Sequence, residues 1–397
     1  MTALAETIAA QAERLAAVMT VELDEAVSQL EPARRVWLVG TGTSQHAAEL
    51  GAWMFAGGDK EVHARSSAAF AYTDRPLRAE DAVVVISHTT ETAFAQRARQ
   101  RVLESPARLV TITGQGKDWP EAVQTVEAER SETYTVSYLA ALVILARLSV
   151  ALRQSSYNAA QLSELPDRVQ AAATASTSWF ESVPRRLLVL AGVGPGAVTA
   201  REGALKLREA ARLAAEGYEA EYLLHGSAVP LRGGDGLIAV QPTHDRSGLL
   251  DGLLAAAARE GLSTSAVHEA DGLDPVLSQI PLTVRLQTVA ATLADARGVD
   301  PDRVIEASWA DDRLWQAVRP LRGRFKDHAR PNRLAVDLRD PQPWACHPLL
   351  DVLAPAEPIL RLARVESGPT RAMKTTARYS SRLRLRLLSR HDAAVAE

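Results

Sequence analysis

At 397 residues, with 47% hydrophobic side chains, the chain exceeds one ordinary domain and carries enough apolar material for two sizeable cores. Its one cysteine, Cys346, excludes a disulfide framework and a cysteine-based metal cluster, and fits a reducing, cytoplasmic compartment. The net charge of −3 conceals an acidic body, with 30 basic against 40 acidic residues over 1–320, and a basic tail, with 15 against 8 over 321–397.

Residues 1–33 read as a helical arm. From Met1 to Val27 apolar residues recur at helical spacing between Glu6, Glu13, Arg14, Glu22 and Asp24, which predicts one amphipathic helix and neither a signal nor a transit peptide. A first α/β domain is expected over 34–154. Its strand candidates are the short β-branched runs Val36–Val39, Val83–Ile86 and Leu109–Thr113, and its most apolar helix, Tyr138–Leu152, is too short to span a bilayer. Residues 155–183 read as a helical connector. A second α/β domain at 184–320 repeats the plan, with a strand at Leu187–Leu190, a glycine turn at Gly192–Gly196, a helix at Arg201–Ala215 and a strand at Leu237–Val240. Such alternation implies parallel sheets built from βαβ crossovers, whose ligands sit beyond the carboxyl ends of the strands. The tail, 321–397, is rich in proline and reads as a solvated, poorly ordered basic extension. It has no helix-turn-helix pattern and no aromatic-interleaved basic patch, so nucleic acid is not an expected partner.

Chemistry concentrates after the strands. Val36 to Leu50 reads VWLVGTGTSQHAAEL, and Ser87 to Thr92 reads SHTTET after an apolar run, so two strands each deliver a hydroxyl-rich turn into a helix. Free backbone N–H groups and a helix N-terminus at one spot suit a phosphate dianion. Thr43, Ser44, Ser87, His88, Thr89 and Thr92 are the candidate phosphate and sugar ligands. Helix capping is the competing explanation for the hydroxyls, and it accounts for one such residue better than for four. A dinucleotide site is disfavoured, because Gly40-Thr41-Gly42-Thr43-Ser44-Gln45 lacks the third glycine of GxGxxG. In the second domain Glu202, Lys206 and Glu209 fall at i, i+4 and i+7 on one helical face. On an isolated helix an exposed salt-bridge ladder would be the preferred explanation of that spacing.

These pieces together resemble the sugar isomerase (SIS) domain, and in particular the tandem isomerase half of the glucosamine-6-phosphate synthase family. The likeness runs from about Glu6 to about Asp302 and rests on GTGTSQHAA at Gly40–Ala48, the loop Ser87–Thr92, TVSYLAALVILARL at Thr135–Leu148, EGALKLRE at Glu202–Glu209 and LLHGS at Leu223–Ser227. It implies an α/β fold of two doubly wound parallel-sheet SIS domains, a homodimer, a hexose or hexosamine phosphate as ligand, no membrane association, and neither cofactor nor metal. It assigns Glu209 as the base that moves a proton between C1 and C2, with Lys206 stabilising the enolate-type oxygen and Glu202 orienting Lys206 or a sugar hydroxyl. His225 would open the sugar ring from a neighbouring subunit, with Glu221 steering its tautomer.

Several positions depart from the family pattern. His88 and Thr90 stand where glutamine and glycine are usual, and AEYLLHGS lacks the lysine and proline of GELKHGP. The segment Val304–Trp315 reads VIEASWADDRLW, without the lysine that forms a Schiff base in the synthases. No glutaminase domain precedes the first SIS domain, so glutamine is not the expected ammonia donor. The expected activity is therefore conversion of glucosamine 6-phosphate to fructose 6-phosphate and ammonia. The alternatives are a deglycase or aldose-ketose isomerase acting on another hexose phosphate, or a non-catalytic sugar-phosphate sensor.

Overall fold

In the computed structural model the described residues are 1–73, 75–178, 180, 184, 186–241 and 246–311, so the extension expected at 321–397 lies outside them. The apolar runs of the sequence become the middle strands of two parallel sheets. The first sheet comprises β1 (Arg35–Gly40), β2 (Glu61–Ser66), β3 (Asp81–Ile86), β4 (Arg108–Thr113) and β5 (Ala122–Gln124), in the order β2-β1-β3-β4-β5. The second comprises β6 (Leu188–Gly192), β7 (Ala215–Glu219), β8 (Gly236–Gln241) and β9 (Ser263–His268), in the order β7-β6-β8-β9. Every pairing is parallel, with Val36 opposite Val62 and Ala82 in one sheet, and Leu190 opposite Gly217 and Ile238 in the other.

Helix α1 (Ala3–Ala9) packs on the second half, and around the first sheet lie α2 (Gln11–Val18), α3 (Asp24–Leu30), α4 (Thr43–Met54), α5 (Ser67–Tyr72), α6 (Ala93–Leu103), α7 (Val136–Ala151), α8 (Ala159–Ser163) and α9 (Leu165–Thr174). The second half carries α10 (Pro195–Ala211), α11 (Ala220–Tyr222), α12 (Leu249–Arg259) and α13 (Gln279–Ala296). Alternate residues of the middle strands serve opposite faces. Val36, Leu38, Val84 and Ile86 join the core that contains α4 and α7, while Trp37, Val39, Val83 and Val85 join the one beneath α5 and α6. With both faces covered, these strands need apolar side chains at every position. Helix α7 is buried around almost its whole circumference, which explains its unbroken apolar run. Among the described residues no helix is long and apolar enough to cross a membrane.

Both sheets belong to one compact unit, and the arm helps to join them. The single helix expected over Met1–Val27 is instead three helices. The backbone at Ala10 leaves the helical path (φ −92°, ψ 0°), so that Leu4 and Ile8 reach the core of the second sheet while Leu15 and Val18 reach that of the first. Asp302 caps the first of them, accepting from the backbone N–H groups of Ala3 and Leu4 at 2.7 and 2.8 Å. The helix expected at Arg201–Ala215 also ends early. Arg212 adopts a left-handed conformation (φ 48°), and Ala215 begins β7, paired with Leu188. Strand pairing here overrides a locally helical sequence.

Candidate functional site

The first glycine turn is shaped by a close approach. A Cβ on Gly40 would lie 2.2 Å from the Ser44 carbonyl oxygen, so only glycine lets α4 start directly over the end of β1, and Gly42 supplies the positive φ (58°) of the turn. Gly192 and Gly194 repeat this construction before α10, with the same 2.2 Å approach and a φ of 55°. The two halves therefore share a strand–turn–helix unit, but hydroxyl side chains line only the first.

That first turn opens onto a cavity of about 250 Å³. Thr43 and Ser44 from the start of α4, and Ser87, His88, Thr89 and Thr92 from the loop after β3, all line it. The structure thus brings together all six candidate phosphate and sugar ligands. Capping leaves several of these groups uncommitted. Thr92 occupies the N-cap position of α6, yet its hydroxyl makes no capping bond, and the Ser87 hydroxyl is buried without a partner. Thr89 does serve a local turn, accepting from Glu91 N–H at 3.3 Å.

Glu209 reaches the same cavity from α10. Behind it the helical spacing has produced a buried charge chain, not an exposed ladder. Lys206 Nζ donates to Glu209 Oε2 at 2.5 Å and lies 3.5 Å from Glu202 Oε1. Glu202 in turn holds His46 Nδ1 at 2.7 Å and accepts from Thr43 Oγ1 at 3.2 Å. Glu202 is fully buried and Lys206 nearly so, and neither lines the cavity. Of the two contacts expected of Glu202, the one with Lys206 is present and the one with a sugar hydroxyl is replaced by contacts with α4, while Lys206, expected to meet an enolate-type oxygen, instead bonds Glu209.

Charge balance in this chain follows from burial and pairing. Burial alone would raise the pKa of Glu202, but the Lys206 ammonium, with His46 and Thr43, outweighs it and holds the carboxyl below its ordinary value. For Lys206 burial favours the neutral amine, and the two carboxylates reverse this and hold the ammonium above its usual range. Glu209 keeps the opposite balance. Burial raises its pKa, and Lys206 recovers only part of the shift. The result is a cavity-facing carboxylate of increased basicity, which is the property a general base needs.

Four further residues contribute to the site: Glu129, Tyr134, Ser137 and His46. Glu129 caps α7, accepting from the backbone N–H groups of Thr135 and Ser137 at 3.0 and 2.9 Å and from the Ser137 hydroxyl at 2.6 Å. Tyr134 and Ser137 line the cavity beside it. Nothing in their spacing marks them, whereas His46 could have been found, since it lies one helical turn from Thr43 inside GTGTSQHAA.

His225 is the candidate that does not join the others. It lies in a wide turn, Leu223–Ser227, with its side chain 73% exposed and outside the cavity lining. Its Nε2 is 3.8 Å from Glu221 Oε1, too far for the hydrogen bond by which Glu221 was expected to fix its tautomer. Among the described residues no group of three or more His, Cys, Asp or Glu side chains could hold a metal ion.

Comparison with known proteins accords with this architecture. The model described as SIS domain matches residues 29–145. These residues form a SIS domain. Over 326 residues the chain is 28% identical to the glutamine–fructose-6-phosphate aminotransferase (isomerizing) of Mycobacterium leprae, covering 69% of this chain and 50% of that protein. The chain thus spans about half the length of the curated relatives it matches. Among solved structures, the C-terminal domain of glucosamine-fructose-6-phosphate aminotransferase from Francisella tularensis aligns with a TM-score of 0.67 at 19% identity, covering 76% of this chain and 98% of that one. A glucosamine-6-phosphate deaminase from Thermotoga maritima aligns with a TM-score of 0.65 at 19% identity, covering 78% and 99%. At such identities the shared property is the fold.

Proposed function

We propose that the cavity binds a hexosamine phosphate and that Glu209 moves a proton between C1 and C2, converting glucosamine 6-phosphate to fructose 6-phosphate and ammonia. The observation that carries this reading is the placement of Glu209, a carboxylate of raised pKa, on the wall of the same cavity as the uncommitted hydroxyls of Ser87 and Thr92. Phosphate held by the hydroxyl turns fixes one end of an open-chain sugar and presents the other to the base. Removal of the C2 proton gives an enolamine, and its return to C1 gives a C2 imine. Water then adds to the imine carbon and ammonia departs. Lys206 positions Glu209 and balances its charge throughout.

Ring opening needs a further proton carrier. In this reading it is His225 contributed by a second copy of the chain, since its exposed turn, beside exposed Tyr222 and Leu224, offers a surface for such a copy. Mixing Glu209→Gln with His225→Ala chains then restores part of the activity that each lacks alone, and no recovery after demonstrated subunit exchange refutes the shared site. The same exposure of His225 favours the second reading, a sugar-phosphate sensor without turnover. Screening hexose and hexosamine 6-phosphates for ammonia release and ketose formation separates the two, because a sensor binds one of them and produces neither.

A further inference from the structure

The proposed reaction leaves the imidazole of His88, in the loop Ser87–Thr92, without a role. It lines the cavity, and both its ring nitrogens are shut off from solvent without a hydrogen-bonding partner of acceptable geometry. Its place is closely fitted. A Cβ on Gly114 would lie 2.7 Å from the ring's Cε1, and Tyr134 meets the ring edge-on at 5.9 Å between centroids. Buried polar groups are ordinarily paired, so a cavity-lining imidazole with no well-formed hydrogen bond, and the Glu127 carbonyl as its nearest acceptor, is placed to turn to a ligand. The surroundings also set the charge of the ring. Burial chiefly, and Lys117 after it, favour the neutral ring, while Glu129 and the Glu127 carbonyl partly oppose them. Glu129 is already engaged by the N-terminus of α7, and Glu209 lines the same cavity.

We propose that His88 closes the phosphate cradle as a proton-coupled ligand: when a phosphate dianion enters, the imidazole takes up a proton from solvent and donates an N–H to a phosphate oxygen. The inference rests on the reading that the cavity holds a phosphate ester, and it adds that binding is linked to pH. The sign is fixed. The dianion raises the proton affinity of His88, so affinity is greatest below the pKa of the free site and falls as pH rises through that of the complex.

Calorimetry of glucosamine 6-phosphate binding near pH 7.5, with Glu209→Gln in every chain compared so that the sugar is not turned over, in two buffers of different ionisation enthalpy, measures the proton directly. Inorganic sulfate, which stays dianionic, is titrated as a competitor to remove ionisation of the ligand itself. The parent protein should take up a substantial fraction of one proton and bind sulfate several-fold more weakly at pH 8 than at pH 6. His88→Gln keeps an N–H donor but cannot titrate, so its uptake should be near zero and its sulfate profile nearly flat, with His88→Asn as a second variant. No proton uptake by the parent, or equal uptake in parent and variants, overturns the inference. Ammonia release measured in parallel, with Glu209 intact, keeps the two readings apart. Turnover without proton uptake removes only the role of His88, and uptake without turnover removes only the deaminase.

Discussion

Thr90 sits in the hydroxyl loop with φ at 62°, a left-handed conformation that a β-branched residue adopts at a cost. Its hydroxyl donates to the Thr89 carbonyl at 2.6 Å and its own carbonyl accepts from Gln96 Nε2 at 3.0 Å, so the strained turn is held from both sides. Thr90→Gly should therefore stabilise the protein by about 1 kcal/mol, read as a higher midpoint in urea at an unchanged slope. A lower midpoint would show that the threonine contacts outweigh the strain. At this scale the sequence exposed what a motif can expose. The hydroxyls of Thr43, Ser44, Ser87, Thr89 and Thr92 were legible because turns after strands point to one place. The roles of Glu129 and Tyr134 were not, because they arise from the way the segment before α7 packs at the cavity, which no local spacing records.

Helices α4 and α10 are latched by His46, Glu202 and Lys206, and the latch has a definite pH window. Glu202, with a lowered pKa, contributes stability that is present above its unfolded value and lost as pH falls through the folded one. Lys206, with a raised pKa, contributes stability present below its unfolded value and lost as pH rises through the folded one. Both contributions are therefore complete between roughly pH 5 and 10, given ordinary values near 4.3 and 10.4. Lys206→Met removes the cation between the Glu202 and Glu209 carboxylates and should cost about 3 to 5 kcal/mol at pH 7. The loss should shrink on approaching pH 4, where the carboxylates protonate, and an equal loss at both pH values would mean that packing alone is responsible. The positions of Glu202, Lys206 and Glu209 on one helical face followed from their spacing. Their burial did not, because it depends on the opposing α4.

Over the whole molecule the strand candidates read from sequence are β1, β3, β4, β6 and β8, the inner strands of the two sheets, while β2, β5, β7 and β9 are all edges. Inner strands in a sheet covered on both faces must be apolar throughout, whereas edge segments such as EVHARS and STSAVH keep polar residues that blunt the free rim. The same covering by helices places the carboxyl ends of the first sheet's inner strands beside α10, so that Glu209 from the second half meets hydroxyl turns from the first. Whether that meeting performs chemistry is tested most directly by incubating the protein with glucosamine 6-phosphate in deuterated water and following ammonia, ketose and deuterium at C1. Equimolar ammonia and fructose 6-phosphate are expected, with solvent deuterium at C1, and a fall in kcat of about 10²- to 10⁴-fold in Glu209→Gln with binding retained. A parent protein that binds the sugar phosphate yet gives no ammonia, no ketose and no deuterium exchange would contradict the proposed reaction.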